Sequence, residues 1–494
     1  MPNISTHATI IVKFRDGVSL PYLDGLEQYI KSINPAAWDE LVQLAPGCTF
    51  RRIYEVFTPE TTKTLFDLAA KLNPKLRCNI VCFFRHFVLD CPVPWQLGER
   101  VLKAVRQWNE VEHAYMPPLV VPPPVGGLNS RATYQHYLRP APLGIDAKYA
   151  WGHKGGGGTQ QDVVDIEMGW TLDHVDLLNS SGVQRVELVG ALNDPNYAKH
   201  GTGVLGVLCA TDNDTGIVGI APDVATARVV GHDLTTTTIP RAIELAILSL
   251  IPGVDPAWLD RPGYLRELVN TGNLPEVPNG PVLLLESQSK KTTNGPDFPS
   301  EIDPVVAELI ELATAIGIVV VEAAGNGGQD LDVYEDEYRD TNRRNIFNRG
   351  DPDFLDSGAI MVGSGNRPES LVAAATPWER QADSNFGSRI DCFAWGNSVY
   401  TLDKVGYQSN FAGTSSAAAI VAGAAVSVQG MAWAHPDLRR RLTPAEVRQI
   451  LSDRGPSATP GVLANTRSAD PANDKIGVMP NLQHIALNLL HIPI

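Results

Sequence analysis

The sequence predicts an α/β protein, a doubly wound parallel sheet preceded by a small α+β sandwich. Short apolar runs without alternation recur between residues 162 and 363, as in strands buried on both faces. Helical patterns such as Ile239–Leu250 and Val305–Ala315 separate them, as crossover helices do. The first 118 residues differ: they mix alternating strands with amphipathic helices.

In that first region Ala8–Phe14 alternates and is rich in β-branched residues, so it reads as a strand. Helical periods follow at Leu20–Ile33 and Ala36–Leu44, then a strand at Arg52–Phe57 and a helix at Thr61–Leu72. Ile80–Leu89 reads as a strand, Gly98–Trp108 as a helix with Val101, Leu102, Val105 and Trp108 on one face, and Val111–Tyr115 as a closing strand. Pro117–Gly127 contains five prolines. Such a segment is extended and stiff. It serves as a linker, or lies across a cleft, where fixed φ angles and missing donors resist cleavage.

The later apolar runs are Asp162–Ile166, Thr226–Val230, Val282–Glu286, Ile318–Glu322 and Ile360–Gly363. Ligands of such sheets bind beyond the C-terminal ends of the strands, so reactive side chains are expected just after these runs. Asp165 stands near the end of the first, His200 opens the small-residue stretch His200–Gly206, and Asn326 follows the fourth in Ala323–Gly328. Each also has an ordinary reading: a strand-end carboxylate, a structural histidine, an Asn-Gly turn. From Val405 to Pro436 there is no charged residue. That length suits a membrane span or a core helix, and its Gly, Ser, Thr and Gln content argues for the core. Ser415 falls where this helix begins, beside unpaired N–H groups and the positive helix end; it is either an N-cap or a nucleophile whose oxyanion those groups would favour.

Gly413-Thr-Ser415 followed by small residues and Val421-Ala-Gly423 resembles the serine signature of subtilisin-like proteases (peptidase S8 family). His200-Gly-Thr-Gly203 resembles their histidine signature, and the order Asp165, His200, Ser415 is theirs. Gly219–Pro222, Ser384–Asp391, Phe393–Gly396 and Thr443–Arg448 extend the likeness, which covers roughly residues 134–485. The resemblance implies a subtilisin-like serine endopeptidase that forms an acyl-enzyme. Ser415 would be its nucleophile, His200 its base, Asp165 the acid orienting the imidazole, and Asn326 an oxyanion donor. It further implies an inhibitory pro-domain over residues 1–118, a linker over 119–133 and a catalytic domain over 134–494. Ser287 falls at the edge that pairs with substrate. Asp176 and Asn213 fall where relatives hold structural calcium; the chemistry itself requires no cofactor.

The sequence also departs from the family. Ala419 and Ile420 replace residues that are usually Pro and often His, Ser287-Gln288-Ser289 lacks the usual edge glycine, and residues 252–281 form an insertion. Glu167 stands two residues after Asp165; a second carboxylate there raises the sedolisin arrangement of Glu and Asp with Ser, against which the His200 signature argues. A catalytically silent protein that uses this fold to bind a dedicated partner is the competing reading.

Composition sets bounds on partners. The 494 residues are 44% hydrophobic and 19% charged with a net charge of −15, which argues against binding nucleic acid or an anionic membrane through bulk electrostatics and fixes no substrate; the resemblance is what implies a protein or peptide substrate and the chain's own N-terminal region as partners. The six cysteines are sparse, none forms a Cys-x-x-Cys pair, and free thiols are expected. Met1–Lys13 lacks the apolar core of a signal peptide, giving an expectation of a cytoplasmic protein or one secreted by another route.

Overall fold

The computed structural model describes residues 8–491 except 74–79, 94, 118, 122–134, 180, 214–215, 236–237, 257–258, 260–279, 340–344, 368–378 and 454–475. Most of the insertion and of the proline-rich segment therefore lies outside the described residues.

The N-terminal unit is an antiparallel sheet of β1 (Ala8–Phe14), β2 (Thr49–Arg52), β3 (His86–Cys91) and β4 (Val111–Tyr115), in the order β2-β3-β1-β4. Helices Pro35–Leu44 and Trp95–Val105 bring Trp38, Leu41, Val101 and Val105 into one core with Ile10, Val12 and Phe14. Three expected elements shift. Helix Leu20–Ile33 shrinks to Glu27–Ile33, because Pro21 and Gly25, the latter at φ +79°, hold its approach out of the helical region. Ile80–Leu89 divides into a helical turn at Ile80–Phe83 and strand β3, with Phe83 stacked 3.9 Å from Tyr54. Arg52–Phe57 is not a strand. The N–H groups of Val56 and Phe57, which a ladder would use, donate instead to the buried Glu244 carboxylate at 2.7 and 2.9 Å.

The larger unit is built on a seven-stranded sheet, every pairing parallel: β6 (Asp162–Glu167), β7 (Val186–Val189), β8 (Thr226–Gly231), β9 (Val282–Leu285), β12 (Val319–Ala323), β13 (Ile360–Gly365) and β14 (Cys392–Trp395). Its order is β14-β13-β12-β9-β6-β8-β7. From β6 the chain fills one side, then crosses to β9 and fills the other, so β6 and β9 flank the switch point where such sheets open a crevice. Helix Gly413–Ala434 is buried from Gly413 to Ala432 in the core beside this sheet; it is apolar because it is interior. A separate small sheet contains β10 (Gln288–Lys290), β11 (Asp297–Pro299) and β5 (Leu119–Val121), while β15 (Val399–Leu402) and β16 (Tyr407–Phe411) form a hairpin leading to Ser415. Cys48, Cys91, Cys209 and Cys392 are buried free thiols.

The two units meet through buried and half-buried acids. Glu244, from helix Thr238–Ser249, is fully buried, and burial raises its carboxyl to about 8. Glu308, on helix Pro304–Ala315, faces Tyr54 and Lys13, and burial raises it to about 7. Both ionise near 4.3 when solvated. Their contribution to docking is therefore complete below that value and is lost as pH rises through about 7 and about 8. Hydrogen exchange at the Val56 and Phe57 amides, corrected for intrinsic rates, is expected to accelerate between pH 5 and 9 in the native chain and much less in Glu244→Gln. Protection independent of pH would contradict this.

Candidate active site

Strand β6 carries two carboxylates on one face, Asp165 and Glu167, because side chains repeat every second residue. Both are buried. Glu167 is one pleat nearer the open end of the sheet, and its Oε1 meets Nδ1 of His200 in a short hydrogen bond. Asp165 does not reach the imidazole; its Oδ2 accepts the indole N–H of Trp170 at 2.8 Å. The expected pairing of Asp165 with His200 is thus corrected to Glu167 with His200. The strand runs one residue past the apolar run read from sequence, and the longer glutamate at its end covers the remaining distance. The available signal was Gly169, two residues after Glu167, where the chain must turn close to the histidine helix.

His200 is the third residue of helix Ala198–Cys209. The residues after it explain the close approach. A Cβ on Gly201 would lie 2.5 Å from the Gly169 carbonyl oxygen and 2.7 Å from the Trp170 ring, so only glycine lets the helix rest on this loop. Thr202 Oγ accepts the N–H of Thr171 at 2.8 Å and fixes the loop from the other side. Phe411 packs against the imidazole with ring centroids 5.2 Å apart. Nε2 of His200 is buried without a hydrogen-bond partner.

Ser415 is the third residue of a 22-residue helix, in its first turn, and its own N–H belongs to the unpaired set at the positive end. Gly413 starts that helix at φ +87°, and a Cβ there would approach Asn326 Oδ1 to 2.9 Å. Asn326 Oδ1 accepts the N–H of Thr414 at 2.9 Å, which fixes the amide orientation. Its Nδ2, together with the Asn326 backbone N–H, donates to Oε1 of Gln288 at 3.0 and 3.1 Å. The amide thus already holds a carbonyl oxygen. Gln288 is a residue that sequence reasoning passed over.

Glu286 was also passed over. It follows β9 directly, is 1% exposed, and has no completed hydrogen bond to either carboxyl oxygen. The Ser415 hydroxyl is near enough to act on it as a donor. Glu286, Glu167 and His200 each bring a ligand atom within 4.8 Å of the others. No fourth acid, cysteine or histidine joins this group among the described residues, and His200 Nδ1 is occupied by Glu167, so the arrangement is that of an acid and an imidazole rather than a metal cage. Burial, then the neighbouring Glu167 charge, raises Asp165 well above the usual carboxylate range. Burial, then Glu167 and Asp165, does the same to Glu286.

Ser287 is buried, and its hydroxyl pairs with that of Ser300 at 2.9 Å; its side chain is spent internally. The chain runs on into β10, with which β5 pairs antiparallel: Gln288 opposite Val121, Ser289 opposite Val120, Lys290 opposite Leu119. Asp176 Oδ2 accepts the N–H of Ile217 at 2.9 Å, and its Oδ1 is buried without a hydrogen-bond partner, an oxygen of the kind calcium takes. Asn213 turns its amide N–H to the Val175 carbonyl at 3.2 Å.

Comparison with known proteins identifies the family. Residues 189–467, more than half of the chain, match the family model Peptidase_S8, described as the subtilase family. The chain belongs to the subtilase family. It is a serine endopeptidase of the subtilisin-like kind, on an α/β fold. The match begins at residue 189, after β6. The chain is 26% identical over 323 residues to an intracellular serine protease of Paenibacillus polymyxa, covering 63% of this chain and 78% of that one. It is 27% identical over 283 residues to subtilisin DY of Bacillus licheniformis, covering 57% and 80%. A cold-adapted subtilisin-like serine proteinase of known structure is 17% identical, covers 66% of this chain and 91% of its own, and superposes with a TM-score of 0.39.

Proposed function

We propose that this subtilase hydrolyses peptide bonds through Ser415, His200 and Glu167, with Asn326 and the Ser415 N–H as oxyanion donors. The observation carrying the assignment is the Glu167 carboxylate on Nδ1 of a buried imidazole whose Nε2 has no other partner. Glu167 holds the tautomer that exposes Nε2 as base and stabilises the imidazolium formed when it accepts the Ser415 proton. Ser415 Oγ then attacks the scissile carbonyl, and the oxyanion takes the donors that Gln288 now occupies. His200 returns the proton to the leaving amine, and water repeats the cycle on the acyl-enzyme. An oxyanion donor of this kind contributes about 10²–10³ in kcat.

The division into residues 1–118, 119–133 and 134–494 has a functional meaning in this reading. The first is an intramolecular inhibitor, and β5 of the linker fills the substrate edge of β10 in the manner of an extended peptide. The intracellular relative supports a cytoplasmic setting. Catalysis uses no cofactor. Fluorophosphonate labelling tests the assignment: native chain is expected to be labelled at Ser415, more rapidly after the linker is cut, and Ser415→Ala not at all. Absence of labelling from folded protein, cut and uncut, would favour a silent binding protein.

A further inference from the structure

Glu286 has no counterpart in the mechanism above, yet its surroundings are those of a working group. It is almost wholly buried, both its carboxyl oxygens lack completed hydrogen bonds, the Ser415 hydroxyl acts on it, and it reaches to within 4.8 Å of Glu167 and His200. A buried acid without partners is costly and needs a reason. We propose that Glu286 stands outside the catalytic machinery as a brake on it, a group that meets the Ser415 hydroxyl and, when ionised, competes with His200 for its proton.

The consequence depends on charge. As a carboxylic acid, Glu286 can donate its own O–H to Ser415 Oγ, which leaves the serine hydrogen for Nε2 of His200. As a carboxylate it can only accept, so it captures the Ser415 hydrogen and repels the negative charge developing on Oγ. Ionised and neutral forms thus correspond to an idle and a competent nucleophile. No atom is gained or lost beyond the one carboxyl proton, which passes to solvent. The titratable groups acting on Glu286 are Glu167 and Asp165, both acids from β6, and they reinforce burial in raising its carboxyl. His200 comes from helix Ala198–Cys209, while helix Gly413–Ala434 contributes Ser415 and has no charged residue. Burial raises Asp165 well above the usual carboxylate range, and its Oδ2 is tied to the Trp170 indole.

This inference rests on Ser415 being the nucleophile. The test measures fluorophosphonate labelling rates of the full-length chain from pH 5 to 10, comparing the native protein with Glu286→Gln and Glu286→Met; circular dichroism and melting temperature identify whichever variants fold. Glutamine keeps the neutral shape and cannot ionise; methionine removes the group at similar size. Native labelling is expected to fall at high pH. The variants are expected to match it near neutral pH and exceed it by about tenfold or more on the alkaline side, the scale of losing a hydrogen bond to a charged competitor. Identical pH profiles in native and variant chains would overturn the role of Glu286 while leaving Ser415 as nucleophile. Loss of labelling at every pH in a folded variant would overturn it too, since the carboxyl would then be required rather than competing. No labelling of native protein would remove the nucleophile assignment itself.

Discussion

Glu167→Gln is expected to lower kcat by about 10³–10⁴-fold, the scale on which serine proteases suffer when the imidazole loses its orienting carboxylate, whereas Asp165→Asn is expected to stay within about tenfold of native. The two residues are separated by a single residue on one face of β6, yet only Glu167 touches His200. An amide at 167 removes the charge that stabilises the imidazolium, and its NH₂ group favours the wrong tautomer. An amide at 165 still accepts the Trp170 indole N–H, and no charge is lost there because burial already holds Asp165 neutral. Steady-state hydrolysis of a peptide substrate by the linker-cut protein measures both. The reverse ranking would restore Asp165 to the role the motif order suggested.

The second large effect concerns β5. Prolines at Leu119, Val120 and Val121 together remove every donor of the strand that pairs with β10. A ladder hydrogen bond is worth about 0.5–1.5 kcal/mol net, so losing two or three should raise hydrolysis of a small peptide by about tenfold or more. The change acts at the substrate edge rather than at the docked acids Glu244 and Glu308, which hold the N-terminal unit elsewhere. Activity equal to that of the native chain would contradict a blocking role for β5.

Much of this was legible in the sequence for physical reasons. Continuous apolar runs appear in strands covered on both faces, and all five coincide with strands of the parallel sheet to within two residues at either end. The histidine and serine stretches were readable because close approach demands glycine: Gly201 against the Gly169 carbonyl and Gly413 against Asn326. The acid was not, since two carboxylates of like parity on one strand differ only in how far the strand extends, and this is settled by pairing with β8, where Glu167 lies opposite Gly231. Glu286 was hidden because it closes an apolar run and looks like a surface charge until β6, β9 and the Ser415 helix converge over it. Arg52–Phe57 failed for a further reason: its amides are claimed by Glu244, some 190 positions away.

The Nδ1 proton of His200 reports its partner most directly. Proton NMR of the native protein is expected to show a strongly downfield imidazole N–H resonance, retained in Asp165→Asn and abolished in Glu167→Gln. A resonance that vanishes with Asp165 and survives the change at Glu167 would contradict the assembly described here.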